Sequence, residues 1–299
     1  MLPNRSQDEE DYHSVGRRQA EVCNPLSPKI VTVIEPSRNR FVPDLSELWS
    51  FREVVYFLIW RDLKVRYRQT YLGVAWAVLQ PLLTMSVFSI FFGKLIGVPS
   101  GEVPYPIFVL CGLVPWNFFS RAISSMTGSL VSNQELVRRV YFPRMAIPLA
   151  SMLSCIADIG WGFAILAVAL AIFQVVPSVQ ILMLPVALFV LISAVLGIGL
   201  ALSAVNVQFR DIGFIVPFAL QLLLFISPVI YPSNLVPEVW RPLYSLNPMV
   251  GVVELTRWSL LDTPADWLLI GISMISAMFL VAAGVCTFAR TERLFADLI

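Results

Sequence analysis

Long apolar runs separated by short polar segments dominate the pattern of this chain. They predict six membrane spans, at residues 72–96, 107–128, 146–176, 181–205, 212–230 and 267–289. A helix rises 1.5 Å per residue, so about 20 apolar residues cross a hydrocarbon core of about 30 Å. Gly112 and Pro115 are expected to interrupt the second span. The pattern therefore predicts an all-α membrane protein whose six transmembrane helices occupy residues 72–299.

Residues 45–71 carry an amphipathic and basic pattern before the first span. Tyr56, Trp60, Leu63 and Tyr67 recur every three or four residues, which places them on one helical face. Arg61, Lys64 and Arg68 recur at three and four residues on another face. The candidate set for the interface helix is Trp60, Arg61, Lys64, Arg66 and Arg68. Such a helix lies in the membrane–water interface with its apolar side toward lipid.

Residues 1–44 are polar and dotted with prolines. They contain no apolar core of a secretory signal, and we expect a disordered cytoplasmic tail.

Composition supports a protein that crosses the membrane several times. The chain is 57% hydrophobic and 14% charged, whereas soluble domains carry about 25% charged residues. It has one histidine, His13, and four scattered cysteines. These predict neither a metal site nor a disulfide framework.

The distribution of basic residues orients the six predicted spans. With the N-terminus inside, seventeen lysines and arginines fall in inside segments and three in outside loops. Inside segments of membrane proteins are enriched in these residues. Both termini are therefore predicted to be cytoplasmic.

Two charged residues lie within predicted spans. Arg121 belongs to the second span and Asp158 to the third. An unpaired charge inside a membrane is costly, so pairing or exposure to an aqueous cavity is expected. We hypothesise an Arg121–Asp158 pair.

The segment at 130–145 is too charged for lipid. Ser132 and Glu135 have the spacing of a capping box and predict a short helix, which Pro143 would end. The segment is either a helix that receives force from a soluble partner or an ordinary basic loop. No phosphate-binding loop occurs in the sequence. If the protein depends on ATP, another subunit must therefore hydrolyse it.

The segment at 231–266 is too apolar for a solvated loop and too rich in proline for one span. Two short helices dipping into the outer leaflet, at 235–244 and 249–261, would fit. The alternative is an aromatic belt at the interface.

Seven stretches of this sequence resemble one known family: the membrane subunits of ABC-2-type polysaccharide exporters, which include Wzm-like O-antigen permeases and their capsule and teichoic-acid relatives. In chain order, from residue 45 onward, they are WRDLKVRYRQTYLGVAWAVLQPLL from Trp60, YPIFVLCGLVPWNFF from Tyr105, RRVYFPRMAIPLA from Arg138, LSAVNVQFRDIGFIVP from Leu202, SPVIYPSNLVP from Ser227, LNPMVGVVELTRWSLL from Leu246 and ARTERLFADLI from Ala289.

The resemblance implies a homodimer in the bacterial inner membrane, paired with two copies of an ABC ATPase that binds ATP and Mg. Together they would export an undecaprenyl-linked polysaccharide. The amphipathic helix, from Phe51 to Arg68, and the loop from Asn133 to Arg144 are both implied to contact the ATPase. The loop residues implied are Asn133, Gln134, Glu135, Leu136, Arg138, Arg139, Tyr141, Phe142 and Arg144. Residues implied as channel or gate candidates are Trp116, Phe118, Phe119, Tyr231, Trp240, Tyr244, Glu254, Arg257 and Trp258. The outer-leaflet helices would be re-entrant.

Three other functions can be weighed against this interpretation. A permease for a drug or a simple lipid would share the six-span plan. A membrane-embedded glycosyltransferase would need paired carboxylates or a metal motif on an aqueous loop, which the sequence does not offer. A proton-coupled transporter would need several buried acids. We expect no catalytic site, no cofactor in this chain and no nucleic-acid partner.

Overall fold

The structure is a computed structural model that describes residues 45–68, 73–101 and 103–292, with side chains described at 48–66, 78–101 and 103–292. The predicted tail at 1–44 lies outside the described residues. Within them the chain is helical and contains no strand, so the predicted all-α fold is confirmed for this part of the protein.

The described residues form twelve α-helices with one π-helical and three 3₁₀ segments between them. The α-helices are α1 (Leu45–Ser50), α2 (Arg52–Arg68), α3 (Gly73–Phe88), α4 (Tyr105–Ser132), α5 (Gln134–Arg139), α6 (Ala146–Ser154), α7 (Ile156–Ile172), α8 (Leu184–Gln208), α9 (Ile212–Ile226), α10 (Arg241–Tyr244), α11 (Pro248–Leu261) and α12 (Trp267–Glu292). The π-helix is Ser89–Ile96, and the 3₁₀ segments are Val179–Met183, Ser233–Leu235 and Glu238–Trp240.

Helix α4 stands at the centre of the described structure. It packs against α3, α6, α7, α8, α9 and α11. The expected interruption at Gly112 and Pro115 does not occur, because the helix continues through both residues. Gly112 instead permits a close approach of the non-helical stretch after α9, since a Cβ atom there would lie 3.1 Å from Val229 Cα.

Five helical segments among the described residues are long and apolar enough to cross a membrane. They are Val78–Ile96, Tyr105–Ser132, Ala146–Ile172, Val179–Gln208 and Trp267–Glu292. They correspond to five of the six predicted spans.

Helix α9 is apolar but shorter than its predicted span at 212–230. Its 15 residues reach about 22 Å at 1.5 Å per residue. The helix ends at Ile226 because Ser227 adopts an extended conformation, with ψ of 151°. The residue before a proline is disfavoured in the helical region, and Pro228 follows Ser227.

The third predicted span is divided into α6 and α7. A proline often kinks a helix, but the break lies at Cys155 and not at Pro148. Pro148 is in the first turn of α6, where its missing N–H leaves no helical hydrogen bond broken.

Helix α2 packs one face against the protein and leaves another face exposed. Phe51, Val54, Val55, Leu58 and Ile59 pack against the hydrophobic core, with Leu58 fully buried, and α2 contacts α6. The predicted interfacial face is a separate one, on which Tyr56 and Trp60 are exposed. The helix is therefore anchored to the protein while its aromatic face stays accessible.

Helices α8 and α12 meet backbone to backbone. A Cβ atom at Gly284 would overlap the Gly197 carbonyl oxygen, and one at Gly197 would overlap the Leu280 carbonyl group. Because any side chain here would separate the helices, this contact requires glycine on both sides.

We predict that Gly284→Ala lowers the free energy of unfolding by about 1–3 kcal/mol, as overpacking of a core does. Gly271 lies in the same helix with open space around its Cα. Gly271→Ala is the matched control and should retain or raise stability, since alanine favours helix by about 1 kcal/mol over glycine. Thermal unfolding of the purified protein measures both; equal stability of the two variants would contradict the close contact.

Candidate functional site

Arg66, Arg121 and Asp158 form one charged cluster within the helical bundle. Arg66 Nη1 lies 2.7 Å from Asp158 Oδ2, and Arg121 Nη1 lies 3.3 Å from the same oxygen. The structure thus brings the hypothesised Arg121–Asp158 pair together. It also brings in Arg66, for which the sequence analysis predicted a place in the interface helix but no partner.

Arg66 also donates hydrogen bonds to Ser154, at the break between α6 and α7. Its Nη1 lies 3.4 Å from the Ser154 carbonyl oxygen, and its Nη2 lies 3.3 Å from Ser154 Oγ. The last carbonyl groups of a helix have no partner within the helix. A guanidinium with several donors can bind one of them, the Ser154 carbonyl, while pairing with Asp158. One side chain therefore joins the interface helix to the third predicted span.

Other basic residues of α2 stay near its surface. Lys64 Nζ lies 4.4 Å from the centre of the exposed Trp60 ring, and Arg61 pairs with Asp62 at 2.9 Å. The side chain of Arg68 lies outside the described residues.

The segment at 130–145 contains the predicted short helix, α5, but not the predicted capping box. Ser132 belongs to α4, and its hydroxyl donates to the Gly128 carbonyl oxygen. The residue before α5 is Asn133, whose amide donates back to Ser129 O. The capping prediction was wrong because the preceding helix extends to residue 132.

The predicted contact residues of this segment separate into exposed and anchored groups. Glu135, Arg138, Arg139 and Tyr141 are exposed, and Glu135 pairs with Arg139 at 2.8 Å. Asn133, Gln134 and Leu136 are half-buried.

Two other predicted contact residues anchor the segment. Phe142 is buried in the core, and Arg144 donates to the Glu292 carbonyl oxygen at 2.8 Å. The surface available to a partner is therefore centred on α5 and Tyr141, and Phe142 is not part of it.

Three predicted channel residues lie inside the helical bundle. Trp116, Phe118 and Phe119 are buried in the main hydrophobic cluster. They lie on the faces of α4 that pack against neighbouring helices, so the structure does not place them on a channel surface. Helical periodicity indicates which residues share a face, but not which face is covered.

The segment at 231–266 contains no long helix at 235–244, where the sequence predicted its first short helix. Only short 3₁₀ turns and the four-residue α10 occupy 233–244. The second expected helix is present as α11, with Asn247 Oδ1 accepting from Met249 N as its N-cap. Asparagine is among the preferred residues at this position.

Arg257 donates hydrogen bonds to the backbone at Val229 and Tyr231, which precede these turns. Its guanidinium donates to the carbonyl oxygens of Val229 at 2.9 Å, Tyr231 at 3.3 Å and Phe108 at 3.4 Å. Its Cζ also lies 3.6 Å from the centre of the Phe108 ring. Arg257 is 2% exposed, so this predicted gate residue fastens α11 to α4 and to the break after α9.

A cavity of about 760 Å³ opens beside Arg257. Its wall includes Glu254, which is buried, and Trp267. The rings of Trp267 and Trp258 pack edge to face, with their centroids 4.9 Å apart. Burial raises the pKa of the Glu254 carboxyl, an effect that the nearby Arg257 guanidinium and hydrogen bonds from Ser233 oppose.

The remaining gate candidates lie around the broken segment. Tyr244 donates its hydroxyl hydrogen to Tyr231 at 3.3 Å, and Tyr231 donates to the Ile226 carbonyl oxygen. Trp240 is exposed. Apart from Trp240, these aromatic side chains are partly covered by the protein itself.

We predict that Arg257→Met lowers the free energy of unfolding by at least about 2 kcal/mol, because buried carbonyl groups would lose their donor. Arg241→Met is the control: Arg241 also donates to backbone carbonyl oxygens, but it is only half-buried. Thermal unfolding in detergent should show a larger loss for Arg257→Met. Equal losses would mean that Arg257 has no special structural role.

Comparison with known proteins places this architecture in a family. Residues 53–261 match the family model of the ABC-2 type transporter. The O-antigen export system permease protein RfbA of Klebsiella pneumoniae is 24% identical over 241 residues, which cover 80% of this chain and 92% of that protein. RfbA of Myxococcus xanthus is 30% identical over 210 residues, 69% of this chain and 80% of that protein. The polysialic acid transport protein KpsM of Escherichia coli is 28% identical over 204 residues, 67% of this chain and 78% of that protein. These matches confirm the resemblance found in the sequence, and the chain belongs to the ABC-2 type transporter family.

Proposed function

We propose that this chain is the membrane subunit of an ATP-driven exporter of lipid-linked polysaccharide. The observation that carries the proposal is the long match to permeases named for export of O-antigen and transport of polysialic acid. The substrate would be a glycan on an undecaprenyl carrier, moved across the bacterial inner membrane. The chain would supply the path and a separate ATPase the energy.

The proposed assembly is a homodimer with two copies of a cytoplasmic ABC ATPase. Each protomer would cross the membrane six times, with α9 as the shortest span and both termini in the cytoplasm. The broken segment and α11 would form re-entrant helices at the outer end of the path. Helix α9 is apolar along its length, which supports its place among the spans.

The exposed residues of α5 offer the contact for the ATPase. Glu135, Arg138 and Arg139 project from a six-residue helix between α4 and α6. The adjoining Phe142 and Arg144 are fixed to the protein, so a push on α5 would be transmitted to the neighbouring spans. This arrangement favours a coupling helix over an ordinary basic loop.

We predict that reversing both charges, in Glu135→Arg with Arg138→Glu, lowers ATPase association at least tenfold while leaving thermal stability unchanged. The exposed Glu135–Arg139 pair contributes about 1 kcal/mol or less to stability. Glu238→Arg, a single charge reversal at an exposed site on the predicted outer side, is the control for a reversed charge elsewhere on the surface. Co-purification with the ATPase measures association. Undiminished association of the double variant would exclude α5 as the contact.

The proposed function is tested by deleting the chain from its host and measuring surface polysaccharide. We predict that lipid-linked glycan accumulates inside the cell and that a plasmid copy of the wild-type chain restores display. Surface glycan that stays unchanged in the deletion strain would contradict polysaccharide export. It would leave a permease for a drug or a simple lipid as the better interpretation.

A further inference from the structure

Helix α4 is buried on most of its circumference, and its accessible stripe is polar. Between residues 117 and 125, four residues are buried and five are accessible. The accessible residues are Asn117, Ser120, Arg121, Ser124 and Ser125. Their spacing of three and four places them on one face of the helix.

A polar stripe in the middle of a membrane helix is not expected to face lipid. Polar and charged residues in membrane helices face the interior of a bundle or a water-filled cavity. The polar stripe on α4 lines a cleft of the protein. A cleft of about 520 Å³ lies between α3 and α4, and each of its six lining residues is polar: Gln80, Asn117, Ser120, Arg121, Ser124 and Ser125.

Arg121 supplies the charge of this cleft. Its Nη1 lies 3.3 Å from Asp158 Oδ2, and its Nη2 lies 3.3 Å from Gln80 Oε1. Its side chain is nevertheless 36% exposed. The two contacts fix the guanidinium plane against the cleft wall and leave part of its surface open to the cleft.

The position of Arg121 along α4 gives the depth of the cleft. Arg121 lies about 16 Å from the end of α4 at Ser132, at 1.5 Å per residue. The following segment contains α5, the proposed ATPase contact. The cleft therefore lies in the half of the bundle nearer to the proposed cytoplasmic side.

We propose that the cleft between α3 and α4 binds the phosphate groups of the lipid-linked substrate, with Arg121 as the principal contact. The proposal rests on the function proposed above and extends it to a site and a ligand group. A guanidinium binds phosphate oxygens with two parallel hydrogen bonds. The Asn117 amide and the hydroxyl groups of Ser120 and Ser124 supply further hydrogen-bonding groups along the same face.

Asp158 limits how tightly an anion binds. Its carboxylate contacts Arg121 and Arg66, so its charge opposes a second anion next to Arg121. A site on a transport path must bind its ligand and also release it. The Asp158 carboxylate serves that purpose by competing for Arg121 once the phosphate groups move on.

The first test measures binding of farnesyl pyrophosphate, a short-chain probe, to the full-length chain purified with its partner ATPase. We expect wild type to bind this probe more tightly than farnesol, which lacks the anion. Arg121→Gln should weaken binding about tenfold or more, whereas Arg121→Lys should retain part of it because the charge remains. Arg241→Gln, which removes an arginine from the other cavity, should bind like wild type.

Three outcomes of this experiment would overturn the proposal. They are equal binding of farnesyl pyrophosphate and farnesol by wild type, unchanged binding by Arg121→Gln, and equal competition by glucuronate. The last would assign the cleft to carboxylate sugars rather than phosphate. Thermal unfolding of each variant shows whether it is folded, and Arg121→Lys keeps the test valid if Arg121→Gln is unstable.

The second test asks whether water reaches the cleft. In a background with Cys23→Ser and Cys286→Ser, Ser124→Cys should react with a membrane-impermeant thiol reagent, and farnesyl pyrophosphate should slow the reaction. Ser193→Cys is the matched control: Ser124 and Ser193 each donate to a carbonyl oxygen four residues earlier, and Ser193 adjoins the exposed Phe189 on α8. It should react at least tenfold more slowly. An unreactive Ser124→Cys would mean that lipid or a second protomer fills the cleft, which contradicts the proposal.

These tests are separable from the test of the proposed function. If the deletion strain loses surface polysaccharide but Arg121→Gln binds farnesyl pyrophosphate like wild type, only the phosphate site is excluded. If the deletion strain keeps its surface polysaccharide, the exporter itself is excluded.

Discussion

A backbone carbonyl group that enters the hydrocarbon region must find a hydrogen-bond donor inside the protein. Two breaks in the described helices meet this requirement with arginine. Arg66 contacts Ser154 O where α6 ends, and Arg257 contacts Val229 O after α9 ends. Because a guanidinium carries five donors in a fixed plane, one side chain can satisfy several oxygens at once. The breaks can therefore persist within an apolar bundle.

The same two arginines connect elements that are distant in sequence. Arg66 joins the interface helix α2 to α7 through Asp158, and Arg257 joins α11 to α4. Asp158 in turn contacts Arg121 on α4. A displacement of α2 can therefore be transmitted through Arg66, Asp158 and Arg121 to α4. The polar stripe of α4 lines the proposed substrate cleft. This linkage gives the proposed exporter a physical connection between its surface helix and its interior.

The sequence allowed the class, five of the membrane spans and the family to be predicted, because long apolar runs are distinctive at membrane length. It also suggested the Arg121–Asp158 contact, since an intramembrane charge needs a partner. It did not predict the contact of Arg66 with Asp158, because an amphipathic pattern does not show which basic residue turns toward the bundle. It proposed Trp116, Phe118 and Phe119 for the channel, although the structure buries them and leaves Asn117 and Arg121 only half-buried. Which helical face is covered depends on tertiary packing, and a single sequence does not encode that in its periodicity.

The most direct measurement of the central claim is transport by the purified complex. The chain and its ATPase would be reconstituted in liposomes carrying lipid-linked glycan, and glycan exposed on each side would be quantified with time. The account predicts ATP-dependent movement of glycan away from the ATPase side, with no movement when the ATPase is present without this chain. Glycan that stays on its original side in the complete, ATP-hydrolysing complex would contradict the account.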